Sequence, residues 1–300
     1  MDKRMEFTLT LQALSIIYNK FVKDQVIRNK PSPVASGSTK TNSQPQVSLP
    51  VRNLCSVISI LEYSDSTILT STRLTATTLM MLCLLNPGDH VLITDTICYS
   101  LKQLCNVLSK LNINVDFFNH RDEYSLKTLF RADTKLIYLE SSCSEISDIG
   151  SINGICKYVR KRSDKCIISM DNSRTTPLVY KPLIHGVDVS ICNLSKYLIK
   201  RPNTDLTSIS TTKALSHIFI KFNDLVDLTW DNNDLLSVVD SLKSLFFRLV
   251  HRYNMFMGFY RYLYAVRYLR RAVCSVLQTS SDHKFWQQIV NSETIQHPLS

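Results

Sequence analysis

The chain has 300 residues, 44% of them hydrophobic and 20% charged, which suits one large globular domain, or one with a partial second, and excludes a disordered chain. Its formal net charge of +10 raises the question of an anionic partner. The basic residues are scattered, however, and the densest cluster (Arg261, Arg267, Arg270, Arg271) falls on a helical stretch that reads as a solvated face, with no nucleic-acid-binding motif beside it.

Residues 5–28 are mildly amphipathic and predict a helix, and residues 29–50 form a Pro/Ser/Thr-rich arm. Helical patterns follow at 53–62 and 74–85, the second ending in the turn Asn86-Pro87-Gly88-Asp89. That turn leads into a strand at 90–94, then a helix at 99–111, a strand at 113–118 and a helix at 124–131. A strand at 135–139 and a helix at 149–161 come next, followed by apolar strands ending at Asp171 and Cys192. From 234 to 271 the periodicity is that of a long helix, with Leu235, Val238, Leu242, Leu245, Leu249, Tyr253 and Phe256 on a stripe that reads as core or dimer contact. Only 29 residues remain beyond it, too few for a second α/β lobe. The expected division is an N-terminal helix and arm (1–50), an α/β domain (51–233) and a helical remainder (234–300).

The βαβα order implies a mostly parallel sheet between helices, and ligands of such sheets sit at the carboxyl ends of the strands. Asp95, Glu140, Asp171 and the turn Asn193–Lys196 all fall there. Lys196 and Asp171 suit pyridoxal phosphate (PLP), which needs a lysine amine for its Schiff base and a carboxylate to keep its ring nitrogen protonated. Taken alone the pair is weak, since a lysine and an aspartate at strand ends are usually surface residues.

No positive-then-apolar leader is legible at the N-terminus and the longest apolar run is short of a membrane span, so a cytoplasmic protein with no membrane or nucleic-acid partner is expected. Nine cysteines without regular spacing read as buried free thiols of a reducing compartment, and none has zinc-ligand spacing, so no metal site is expected. Only six glycines occur, far below the usual level of about 7%. Few places are left where backbone can approach a cofactor phosphate without a side chain intervening.

The motifs around the pair carry a resemblance. Asn86-Pro-Gly-Asp-His-Val-Leu-Ile-Thr-Asp-Thr-Ile-Cys-Tyr99, Thr134-Lys-Leu-Ile-Tyr-Leu-Glu-Ser141, the run from Asp171 to Asp188, Cys192-Asn-Leu-Ser-Lys-Tyr-Leu198 and Glu293-Thr-Ile-Gln-His-Pro298 are similar, in order and spacing, to those of the PLP-dependent transsulfuration family. That family includes cystathionine γ-lyase, γ-synthase and β-lyase and methionine γ-lyase. The resemblance, most of all to cystathionine γ-lyase, implies the fold type I, aspartate-aminotransferase-like large domain, here with the small C-terminal domain largely missing. It also implies PLP as cofactor, a small sulfur amino acid as substrate, elimination of a thiol, and a homo-oligomer.

By the same resemblance, Lys196 would form the Schiff base and move the substrate proton, Asp171 would hold the ring nitrogen, and Tyr99 would stack on the ring as a second catalytic group. Thr72, Arg73 and Leu74 would cup the phosphate through backbone N–H groups, with Asn193 and Ser195 as further phosphate contacts. The departures are equally plain. Arg73 stands where the family has glycine, either pairing with the phosphate or filling the site. Ser144 stands for an asparagine, Gln44 and Gln46 replace a tyrosine and an arginine of the neighbour-subunit arm, and Lys200-Arg201 replace Gly-His. These departures support an alternative, a catalytically inactive descendant serving as a binding or oligomerisation module.

Overall fold

A computed structural model of the chain describes residues 49–119, 122–140, 152–174, 176–197 and 205–225, with scattered positions between 235 and 262. The expected helix at 5–28, almost all of the arm, Ser144 and Lys200-Arg201 lie outside the described residues.

The elements in order are α1 (Leu49–Glu62), β1 (Ser66–Thr70), α2 (Arg73–Leu84), β2 (His90–Thr94), α3 (Tyr99–Lys110), β3 (Asn114–Phe118), α4 (Glu123–Leu129) and β4 (Thr134–Glu140). They continue with α5 (Ile152–Arg160), β5 (Ile167–Asp171), the short α6 (Thr176–Val179), β6 (Val189–Asn193), the short α7 (Leu194–Tyr197), β7 (Thr207–Thr211) and α8 (Lys213–Leu225). The seven strands form one sheet in the order β1-β7-β6-β5-β4-β2-β3. β3, β2, β4, β5 and β6 run parallel, and β7 is antiparallel to both β6 and β1.

Strand alternation builds two cores, one on each face of the sheet. Val91, Ile93, Leu136, Tyr138, Val189, Ile191 and Ile209 pack with Met80 and Met81 of α2, Leu101, Leu104 and Leu108 of α3 and Phe219 of α8. Leu92, Ile137, Leu139, Ile168 and Met170 point the other way, against Leu126 of α4 and Ile152, Ile155 and Val159 of α5. Covering both faces requires strands that read as continuous apolar runs, which is why β2, β4 and β5 are nearly all buried.

β1 and β7 depart from that pattern: their sequences, STILT and TSIST, are rich in hydroxyls, yet both are buried. The hydroxyls pair across the strands, Ser66 with Thr211 at 2.9 Å and Thr67 with Ser210 at 2.9 Å, while Ile68, Leu69 and Ile209 supply the apolar contacts. Of the stripe that begins at Leu235, Leu235, Val238 and Leu245 are buried.

Two glycines sit where the backbone is left-handed. Gly88 (φ 97°) turns the chain into β2, and Gly186 (φ 96°) ends the 3-10 turn Pro182–His185, where an added Cβ would lie 3.3 Å from Cys156 Cβ. At the amino ends of β2, β3 and β4, the fully buried His90 ties the strands together. Its Nε2 lies 3.2 Å from Asp116 Oδ2 and its Nδ1 lies 2.9 Å from Thr134 Oγ1, which also accepts the Arg131 backbone N–H. With Asp116 able only to accept, Nε2 carries the proton and Nδ1 takes one from Thr134. Burial, then Arg131, lowers the His90 pKa against the opposing pull of Asp116.

Candidate active site

The carboxyl ends of β4 and β5 carry Glu140 and Asp171, which face each other in register. Alternation along β4 puts Glu140 on the same face as Leu136 and Tyr138, the face covered by α2 and α3. Both carboxylates are about 2% exposed. Two buried carboxylates side by side need a cation or a proton between them.

Arg73 supplies the cation. It is the first residue of α2, whose N-cap Thr72 accepts the Thr75 N–H at 3.1 Å, and the helix start aims the arginine across the strand ends. One guanidinium nitrogen, Nη1, donates to Glu140 Oε1 at 2.6 Å and to Asp171 Oδ2 at 2.9 Å. The other, Nη2, donates to Cys98 Sγ at 2.7 Å. Burial works against the Arg73 charge, but Asp171 and then Glu140 outweigh it and the guanidinium is held above its ordinary value. Burial pushes the Glu140 carboxyl up, the charge of Asp171 adds to that, and Arg73 reverses only part of it. Glu140 Oε2 is buried and has no hydrogen-bond partner among the described residues. Tyr138, beneath the pair, is raised well above its ordinary value, first by burial and then by Asp171 and Glu140.

Asp171 is oriented by its own turn. The Ser173 N–H donates to Oδ1 at 2.9 Å, so Oδ2 is presented to the cation. Ser173 Oγ in turn accepts the Asn193 N–H at 2.8 Å, which ties the end of β5 to the end of β6.

The other expected site residues differ in exposure and in what their side chains hold. Asn193 Oδ1 accepts the Ser195 N–H at 2.9 Å and Ser195 Oγ accepts the Leu206 N–H at 2.8 Å, so both side chains fix the turn that carries Lys196. Lys196 is exposed on α7. Tyr99, the first residue of α3, is 76% exposed, and Leu74 is 41% exposed. The structure therefore joins Arg73 to Asp171 directly and leaves Tyr99 and Lys196 exposed. Sequence reasoning placed Glu140 at a strand end without giving it a role, read Cys98 only as a buried thiol where the structure has it half-buried against Arg73, and missed Ser173. The signal for Glu140 was available: two apolar parallel strands that each end in an acid place those acids side by side when in register.

The family model for Cys/Met metabolism PLP-dependent enzymes matches residues 46–294. A putative cystathionine beta-lyase of Rhizobium johnstonii is 26% identical over 236 residues, 78% of this chain and 59% of that protein. An L-alanine/L-glutamate racemase of Wolbachia pipientis is 25% identical over 256 residues, 85% of this chain and 62% of that protein. The chain thus spans about 59–62% of the length of these curated relatives. A crystal structure of cystathionine gamma-lyase from Lactobacillus plantarum complexed with L-serine superposes with a TM-score of 0.74 at 20% identity, over 86% of this chain and 70% of that one, a likeness of fold. Among the described residues, no helix is long and apolar enough to cross a membrane.

The family's cofactor is pyridoxal phosphate, and its ring nitrogen takes a carboxylate partner. The Ser173 N–H donates to Asp171 Oδ1 at 2.9 Å, and Arg73 Nη1 already stands as a cation against Oδ2 at 2.9 Å. With Arg73 in this position the site does not fit the cofactor: the guanidinium already neutralises the carboxylate that the protonated ring nitrogen would pair with.

Proposed function

This chain belongs to the Cys/Met metabolism PLP-dependent enzyme family, and on that premise we propose that it binds pyridoxal phosphate and acts on a sulfur amino acid, in the manner of a carbon–sulfur lyase. The observation that carries the reading is Asp171: a carboxylate buried at the carboxyl end of a parallel strand, locked through one oxygen and presenting the other to a cation. Lys196, on the turn after the neighbouring strand, is the amine that anchors the cofactor, and Tyr99 at the start of α3 is the group that stacks on its ring. Thr72 caps, and Arg73 and Leu74 begin, a twelve-residue helix whose first N–H groups suit a phosphate, and Asn193 and Ser195 fix the turn that carries Lys196.

Relatives named as cystathionine beta-lyases and L-methionine gamma-lyases support sulfur amino acids as the substrate class. A cytoplasmic location and assembly from several copies belong to the same reading. The test is spectroscopic. The chain mixed with pyridoxal phosphate should develop a near-visible band that Lys196→Ala abolishes, and should then release a thiol from cystathionine or methionine. A band without thiol release, but with racemisation of alanine or glutamate, would move the substrate class toward the racemase relative. No band at saturating cofactor would sink the proposal.

A further inference from the structure

We propose that Arg73 is a built-in competitor of the cofactor: its guanidinium holds Asp171 and Glu140 in place of the protonated ring nitrogen, and the cofactor binds only as Arg73 lets go. The inference rests on the functional reading above for the identity of the ligand, and on geometry for the competition. A single nitrogen bridges both carboxylates, at 2.6 and 2.9 Å, while Nη2 is anchored on Cys98 at 2.7 Å. The bridging nitrogen donates to Asp171 Oδ2 while the Ser173 N–H donates to Oδ1, so a cation already stands against the carboxylate that the ring nitrogen would pair with. The arginine is also the residue at the start of α2, so its position is fixed by the helix and only its side chain need swing.

Glu140 gives the arrangement its character. Asp171 alone would hold a guanidinium or a pyridinium alike, each a cation offering it an N–H. Glu140 takes a second hydrogen bond from the guanidinium, and a ring nitrogen with one N–H satisfies only one of the two acids. Glu140 therefore biases the contest toward Arg73. Removing either Arg73 or Glu140 should favour the cofactor, although Glu140→Gln adds nothing for the cofactor to touch.

The experiment is a pyridoxal phosphate titration of the full chain, Arg73→Ala, Glu140→Gln and the double variant, each with and without Lys196→Ala. It is read by the near-visible band and, independently, by the cofactor-induced rise in Tm. If the Arg73-held state accounts for about nine molecules in ten, apparent affinity tightens about tenfold in Arg73→Ala, with a smaller gain in Glu140→Gln. The double variant leaves only one buried carboxylate and serves should Arg73→Ala fail to fold.

The outcomes separate the two claims. Tighter binding in the variants, through Lys196, supports both. A band of unchanged affinity in all forms leaves the functional reading standing and overturns the competition. A band in the variants alone upholds the competition and removes cofactor binding from the unaltered chain. No band in any folded form overturns both.

Discussion

Arg73→Ala leaves Glu140 and Asp171 as two buried carboxylates in adjacent strands with no guanidinium between them. Each is about 2% exposed with Arg73 in place, and both lose their shared cation at once. Removing one partner from a buried hydrogen-bonded pair costs about 3–5 kcal/mol, and because Arg73 is itself 23% exposed the lower end, about 3 kcal/mol, is expected near neutral pH. The loss should depend on pH with a definite sign. Burial and Asp171 hold Glu140 above its ordinary value of 4.5 in the folded chain, while Arg73 opposes them. A carboxyl raised on folding binds more protons folded than unfolded, so stability falls as pH climbs from that ordinary value through the folded one. Without Arg73 the rise is larger and the fall deeper. Urea unfolding of both forms should show a bigger deficit at about pH 7.5 than at about pH 5. A deficit under about 1 kcal/mol at neutral pH, or one that grows on acidification, would refute the argument that Arg73 neutralises two buried acids.

Three further outcomes follow from the scaffold. Gly186→Ala should cost about 1–3 kcal/mol in urea-unfolding free energy, because its φ is 96° and the new methyl meets Cys156; Gly88→Ala, equally left-handed but in open space, should cost less. His90, lowered by burial, takes up fewer protons folded than unfolded below its ordinary value of 6.5, so its contribution to stability is lost as pH falls from there. A pH series of Tm values should show that slope in the native chain and lack it in His90→Asn. Burial pushes the Cys156 and Cys166 thiols up to about 12, so mass spectrometry after alkylation at about pH 8 should find both unlabelled in the folded chain and labelled in urea.

The parallel half of the sheet was legible because its strands are apolar runs closed by turn residues. The strand at 90–94 is observed as expected, and those at 113–118 and 135–139 shift by one residue at one or both ends. β1 and β7 were not legible. Ser-Thr-Ile-Leu-Thr and Thr-Ser-Ile-Ser-Thr carry too few apolar side chains to show a buried pattern, and their burial depends on hydroxyl pairs between segments some 140 residues apart, which sequence periodicity does not report. The helix expected from residue 53 begins at Leu49, inside what composition marked as an arm.

In the candidate site, Asp171 and Lys196 stood out by chemistry and by the motifs around them. Arg73 stood out as a departure, but its reach was not legible: phosphate contact and filling of the site remained equal on sequence grounds. The choice depends on where the start of α2 points relative to the ends of β4 and β5. That is set by the position of β1 at the far edge of the sheet, which is the strand sequence failed to reveal.

Whether Lys196 carries the cofactor can be measured directly. The chain is incubated with saturating pyridoxal phosphate, reduced with borohydride to fix any lysine-bound cofactor, digested and mapped by mass spectrometry. The proposed function predicts one modified lysine, Lys196, with labelling reduced in Asp171→Asn. Label spread over exposed lysines and indifferent to Asp171→Asn, or no label at all, would contradict it.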